Sequence, residues 1–120
     1  MDSEEKAAVE AAAADYIEGW YLGDVARMDR ALHDDLAKRT MVPDEASDAH
    51  VLRVVTKQRM LELTASGGGD DPEASFGITV DDISGDIASA RTVSPEYVDF
   101  LQLVKTPDGW KIANILFRMR

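Results

Sequence analysis

At 120 residues, 45% of them apolar, and with a net charge of −10, the chain is expected to form a single domain over residues 1–120 with enough apolar side chains for a core. It has no cysteine, which excludes disulfides, thiolate metal sites and cysteine nucleophiles and suits a reducing compartment, so a cytoplasmic location is expected. The acidic excess repels phosphate backbones and anionic lipid, and no apolar run is long enough to cross a bilayer, so neither nucleic acid nor membrane is an expected partner.

The first element is a helix. Asp2 with Glu5 three residues on has the pattern of a capping box, and Val9, Ala12, Ala13, Tyr16, Ile17 and Trp20 fall on one stripe at helical spacing until Gly23. The N-terminus is acidic and alanine-rich, unlike a signal peptide. Asp24 caps a short second helix with Val25, Met28 and Leu32 on its apolar face. His33-Asp34-Asp35 interrupts the pattern before a strand from about Leu36 to Val42, which Pro43 closes. A polar loop follows, and Thr56 caps a third helix carrying Met60, Leu61 and Leu63 that stops at Gly67-Gly68-Gly69. These glycines follow a helix and precede Asp70-Asp71, so they read as a flexible helix stop; a phosphate cradle would place them before a helix.

From Phe76 onward the pattern is all strand. Segments 76–83, 87–93, 97–105 and 110–118 alternate with Ser84-Gly85-Asp86, Ser94-Pro95-Glu96 and Thr106-Pro107-Asp108-Gly109, which predicts an antiparallel meander. Helices first and strands after is an α+β order. Strict alternation puts Tyr97, Asp99, Leu101 and Leu103 on one face of the penultimate strand and Val98, Phe100, Gln102 and Val104 on the other. It likewise sets Ile115, Phe117 and Met119 against Ile112, Asn114 and Leu116. Both faces are too apolar to stay in water, so one is expected to meet the helices and the other a partner surface. Polar residues inside such strands, Asp99 and Asn114, need a partner or a ligand.

The order of elements, with Ala31-Leu32-His33-Asp34-Asp35-Leu36-Ala37-Lys38-Arg39, Gly67-Gly68-Gly69, Ile87-Ala88-Ser89-Ala90, Tyr97-Val98-Asp99-Phe100-Leu101 and Gly109-Trp110-Lys111-Ile112-Ala113-Asn114, resembles nuclear-transport-factor-2-like proteins. Within that superfamily it is most similar to the family labelled "putative lumazine-binding", related to polyketide-cyclase-like and ketosteroid-isomerase-like proteins. The resemblance implies a cystatin-like cone fold, with N-terminal helices packed on a curved, mostly antiparallel sheet that encloses a pocket. It also implies sheet-to-sheet homodimers, here burying Phe100, Val104, Ile115 and Phe117.

Ketosteroid isomerases of this fold combine a tyrosine on the first helix, a base aspartate on the first strand and an aspartate kept neutral by an apolar cavity on a later strand. Tyr16 and Asp99 match two of these positions. The base position falls on Thr40, and a threonine cannot by itself abstract a carbon-bound proton. Lys38 and Arg39 alternate on that strand, so at most one of them faces the cavity.

The expected pocket is lined by Tyr16, Trp20, His33, Met60, Asp99 and Asn114 and takes a small hydrophobic or aromatic ligand, with no cofactor. Asp99, Tyr16 and His33 are the candidate catalytic groups. Each also has a structural reading: an ion pair for Asp99, core filling for Tyr16 and Trp20, and a helix-end contact for His33. His33 and His50 are the only histidines, too few for a three-ligand metal site with familiar spacing. Three functions remain open at this point: ligand binding without catalysis; acid–base chemistry of the isomerase, cyclase or dehydratase kind with Asp99 and Tyr16; and a dimerisation scaffold.

Overall fold

The computed structural model describes residues 1–120. Helix α1 (Ser3–Leu22) begins where the Asp2 carboxylate accepts the backbone N–H groups of Glu4 and Glu5 at 2.8 and 3.1 Å, and ends on Gly23, whose φ of 67° is a left-handed conformation that suits glycine. Glu5 does not turn back to complete a capping box. Its carboxylate instead accepts from Lys105 Nζ at 2.6 Å and Trp110 Nε1 at 2.8 Å, tying the start of the helix to the C-terminal hairpin.

Helix α2 (Val25–Ala31), capped by Asp24, runs directly into strand β1 (Leu32–Pro43). The strand therefore starts four residues earlier than the sequence suggests, and His33, Asp34 and Asp35 lie within it, at an irregularity in its pairing between Leu32 and Ala37. The expected polar loop contains a strand, β2 (His50–Val55), which pairs antiparallel with β1 at the sheet edge. Helix α3 (Lys57–Ala65) is capped by Thr56 as expected. The meander follows as β3 (Gly77–Ser84), β4 (Ile87–Val93), β5 (Tyr97–Thr106) and β6 (Gly109–Met119).

The six strands form one sheet in the order β2-β1-β6-β5-β4-β3, in which only the β1–β6 pair is parallel. The sheet is mixed and open, the helices pack on one face, and the fold is α+β. Val9, Ala13 and Ile17 of α1 join Leu101, Leu103, Ile112 and Ile115 of the sheet in the core.

Two local features differ from the sequence reading. The β5–β6 register runs Gln102↔Asn114 and then Leu103↔Ile112, so Ala113 is an extra residue on β6, a β-bulge that inverts the alternation. Ile112 and Ile115 consequently both point at the helices, at 0% and 1% exposure, while Asn114 and Leu116 turn outward. The face proposed for dimerisation is thereby split: Phe100 and Val104 lie on the outer surface, whereas Ile115 is core and Phe117 packs edge-on against Tyr97, 5.8 Å away, on the helix side.

The glycine run also does more than stop a helix. Gly69 N–H donates to the Trp20 carbonyl at 3.0 Å, and a Cβ on Gly68 would collide with that same oxygen. The segment straps the end of α1 at a distance only glycine permits.

Candidate functional site: a buried lysine, tyrosine and aspartate

Five elements bring polar side chains to one point beneath α1. Asp99 on β5 lies between Thr92 of β4 and Phe117 of β6 in the sheet register, and is only 1% exposed. Nearly two turns before the end of α1, Tyr16 donates its hydroxyl proton to Asp99 Oδ1 at 2.8 Å. Thr92 Oγ1 approaches Oδ2 at 3.4 Å. Lys38 on β1 reaches in from the other side, its Nζ donating to the Tyr16 hydroxyl at 2.8 Å and to the Met60 thioether of α3 at 3.5 Å. The chain of donors therefore runs from Lys38 through Tyr16 to Asp99.

The lysine also sits over three aromatic faces, with Nζ 4.6 Å from the ring centre of Phe117, 5.2 Å from Tyr16 and 5.9 Å from Trp20, distances at which a cation is attracted by the ring quadrupole. Burial nevertheless disfavours its charge. Desolvation outweighs the attraction of Asp99 and brings the Lys38 ammonium down from 10.5 to about 8. Desolvation also raises the Asp99 carboxyl, against the opposing influences of Lys38, Tyr16 and Thr92. Tyr16 is pushed well above its ordinary value, first by burial and then by the Asp99 charge, so it stays a neutral donor.

These groups form the polar end of a cavity of about 110 Å³ whose other walls include Ile17, Trp20, Val55, Leu63, Tyr97 and Phe117. A larger concavity of about 810 Å³ adjoins it, sharing Val55, Tyr97 and Phe117 and reaching Arg53 and Arg118. Of the residues expected around a pocket, Tyr16, Trp20, Met60 and Asp99 come together here. His33 does not: its Nδ1 accepts the Asp35 backbone N–H at 3.0 Å, and it lies in a polar surface depression with Asp29 and Lys57. Asn114 is on the outer face of the sheet, bonded to Gln102 at 3.2 Å, because of the bulge at Ala113. No three His, Cys, Asp or Glu side chains are grouped to hold a metal ion.

The residue that sequence reasoning left out of the pocket is Lys38. Thr40, at the expected base position, uses its hydroxyl to donate to the Phe117 carbonyl at 2.8 Å, and the side chain of β1 that meets Tyr16 is two residues earlier. The parity of β1 carried the signal: Leu36 and Lys38 share a face, and Leu36 must be inward.

Residues 4–118 match the family described as "Putative lumazine-binding". The chain belongs to this family. No curated protein sequence matches it. Solved structures agree with the membership at the level of fold. The chain is similar to an NTF-2 like protein of unknown function from Silicibacter pomeroyi, with a TM-score of 0.82 at 20% identity over 100% of both chains. It is similar to another from Shewanella baltica, with a TM-score of 0.83 at 21% identity over 100% of this chain and 97% of that one. A putative aromatic ring hydroxylase from Novosphingobium aromaticivorans gives a TM-score of 0.66 at 16% identity, covering 99% and 91%. This member of the putative lumazine-binding family thus has the nuclear-transport-factor-2-like fold. No helix in it is long and apolar enough to cross a membrane.

Proposed function

We propose that this chain is a small-molecule-binding domain that holds its ligand in the cavity beneath α1 without turning it over. One observation carries the reading: an apolar cavity ends in Lys38, whose N–H groups meet only the Tyr16 oxygen and the Met60 sulfur, leaving a donor for a ligand oxygen. Few convergent polar groups in an apolar concavity are the usual makings of a ligand site. The ligand this favours has a small apolar or aromatic body and one carbonyl, phenolate or carboxylate oxygen directed at Lys38.

Size limits it further. A cavity of about 110 Å³ is smaller than the ~150 Å³ that holds a benzene. A bicyclic ring of the kind the family's name suggests therefore extends past Tyr97 and Phe117 into the adjoining concavity. Binding without turnover is favoured because both Asp99 oxygens already face donors, Tyr16 and Thr92, and the Thr40 hydroxyl is engaged with backbone, so no free carboxylate stands ready as a base. Acid–base catalysis is the second reading, favoured by the 2.8 Å Tyr16–Asp99 bond at the buried end of a cavity. A homodimer formed through the outer sheet face and a cytoplasmic location complete the proposal, supported by the exposed apolar side chains on that face and by the absence of cysteine.

The experiment is an NMR titration with a phenol-sized aromatic probe. A probe that enters the cavity from the adjoining concavity shifts the Met60 methyl together with the Lys38 and Tyr16 resonances and is returned unchanged. Shifts confined to Phe100 and Leu116 on the outer face would overturn the assignment, and consumption of the probe would favour the acid–base reading.

A further inference from the structure

Four of the five lysines in the sequence are held by surface partners. Lys6, Lys57 and Lys105 pair with carboxylates, and Lys111 donates to the Arg30 carbonyl at 2.7 Å. Lys38 alone is enclosed, at 8% exposure. Its nitrogen borders the cavity with no carboxylate bonded to it directly, since Asp99 is reached only through the Tyr16 hydroxyl. An amine in an apolar space beside a hydroxyl relay has what carbonyl capture requires: a nucleophile, a hydroxyl that accepts from it while passing its own proton toward Asp99, and limited access for water.

We propose that Lys38 is a nucleophile that captures a small apolar aldehyde or ketone as a Schiff base. The inference rests on the reading that the cavity takes a small molecule, and it names the ligand's reactive group. The Lys38 nitrogen lone pair attacks the carbonyl carbon; the C–N bond forms, and the C=O π electrons move to oxygen. That oxygen takes up two protons, which balance the two lost by the amine nitrogen, and leaves as water as the C=N bond forms. No oxidant, reductant or further reactant is involved, and addition of water reverses the step. Tyr16, already between Lys38 and Asp99, is the hydroxyl within reach of the carbinolamine oxygen and of the proton that nitrogen gives up. The Phe117, Tyr16 and Trp20 rings confine the amine, and the apolar walls accept the carbonyl compound's hydrocarbon part.

Burial makes the chemistry selective. With Lys38 at about 8, the fraction present as free amine near neutral pH exceeds that of an ordinary lysine by roughly a few hundredfold.

The test exposes the full chain to butanal and sodium cyanoborohydride near neutral pH and maps the butylated lysines by peptide mass spectrometry. Lys38 is expected to carry the adduct at a level at least about tenfold above each of the other lysines. Because the adduct is mapped on the unaltered chain, the result does not depend on any variant folding; Lys38→Arg, which keeps the cation, should lose the dominant adduct. A parallel titration with butan-1-ol, which has the same chain and no carbonyl, follows the Met60 methyl by NMR. If the alcohol binds at Met60 and butanal leaves no adduct on Lys38, the Schiff-base inference is overturned and the binding reading stands. If neither compound perturbs Met60 and no adduct forms, both fall. Labelling spread evenly over all the lysines also overturns the inference.

Discussion

Among individual residues, Lys38 has the strongest effect on how the protein responds to pH. Its folded-state value of about 8 lies below the ordinary 10.5, so between those limits the unfolded chain holds a proton that the folded chain has released. Stability therefore rises with pH across that window, and below about pH 8 the full cost of burying the charge is present. The swing is on the order of 3 kcal/mol. Lys57, raised by its bonds to Asp29 and Asp34 despite opposing desolvation, works in the other direction at higher pH, so the comparison that isolates Lys38 is with Lys38→Met. Urea midpoints of the two proteins should diverge in favour of the unaltered chain's slope from pH 8 to 10.5; parallel curves would mean that Lys38 is not desolvated. The sequence reading reached Tyr16, Trp20 and Met60 because they belong to the apolar patterns of two helices, and Asp99 because it is a carboxylate inside a strand. For Lys38 the alternation said only that at most one of Lys38 and Arg39 faces the cavity, and which cation is buried depends on partners from three other elements that sequence spacing does not bring together.

At the scale of elements, the bulge at Ala113 decides which residues are core. Ile115 and Leu116 are adjacent and chemically alike, yet the first is 1% and the second 53% exposed. Ile115→Ala should cost about 2–5 kcal/mol by removing packed methyl groups and leaving a cavity. Leu116→Ala should cost less than ~1 kcal/mol in the monomer. Chemical denaturation of both variants at low protein concentration checks this, and equal losses would contradict the inverted register. The strands of the meander and all three helices were legible because their periodicities and caps are local. The bulge was not, since one inserted residue leaves no mark in composition and shows only through pairing with Gln102 and Leu103 of the neighbouring strand. Strand β2 was missed for a related reason: Val51, Leu52, Val54 and Val55 are good strand formers, but their two-sided apolar character looks irregular until β1 lies beside them. The glycine run was read from its position after α3, whereas its constraint comes from α1, at the Trp20 carbonyl.

At the scale of the whole molecule, the question is what covers the outer face of the sheet. Met41, Leu52, Val54, Phe100 and Leu116 face away from the helices and are each about half exposed, a larger apolar display than a monomer ordinarily leaves in water. Each partner in a stable dimer covers about 800 Å², a modest share of the chain's 7028 Å² surface, so a six-stranded face is large enough. Charge sets the opposing term: two copies at −10 each repel, but the repulsion between exposed charges is screened over about 8 Å at physiological salt, whereas apolar burial at the face is not. Dimerisation that strengthens with added salt is the expected signature. Light scattering at micromolar concentration should give twice the chain mass for the unaltered protein. Phe100→Asp, at the centre of the outer face, should give a folded monomer that still binds the aromatic probe at Met60. Phe117→Asp tests the opposite side of the same strand pair. Its ring packs against Tyr97 and lies under the Lys38 ammonium, so this change should disturb the cavity and lower the melting temperature, and the outer face should still pair. A monomeric unaltered chain would overturn the dimer, and a Phe117→Asp protein that is a clean monomer with its cavity intact would place the interface elsewhere.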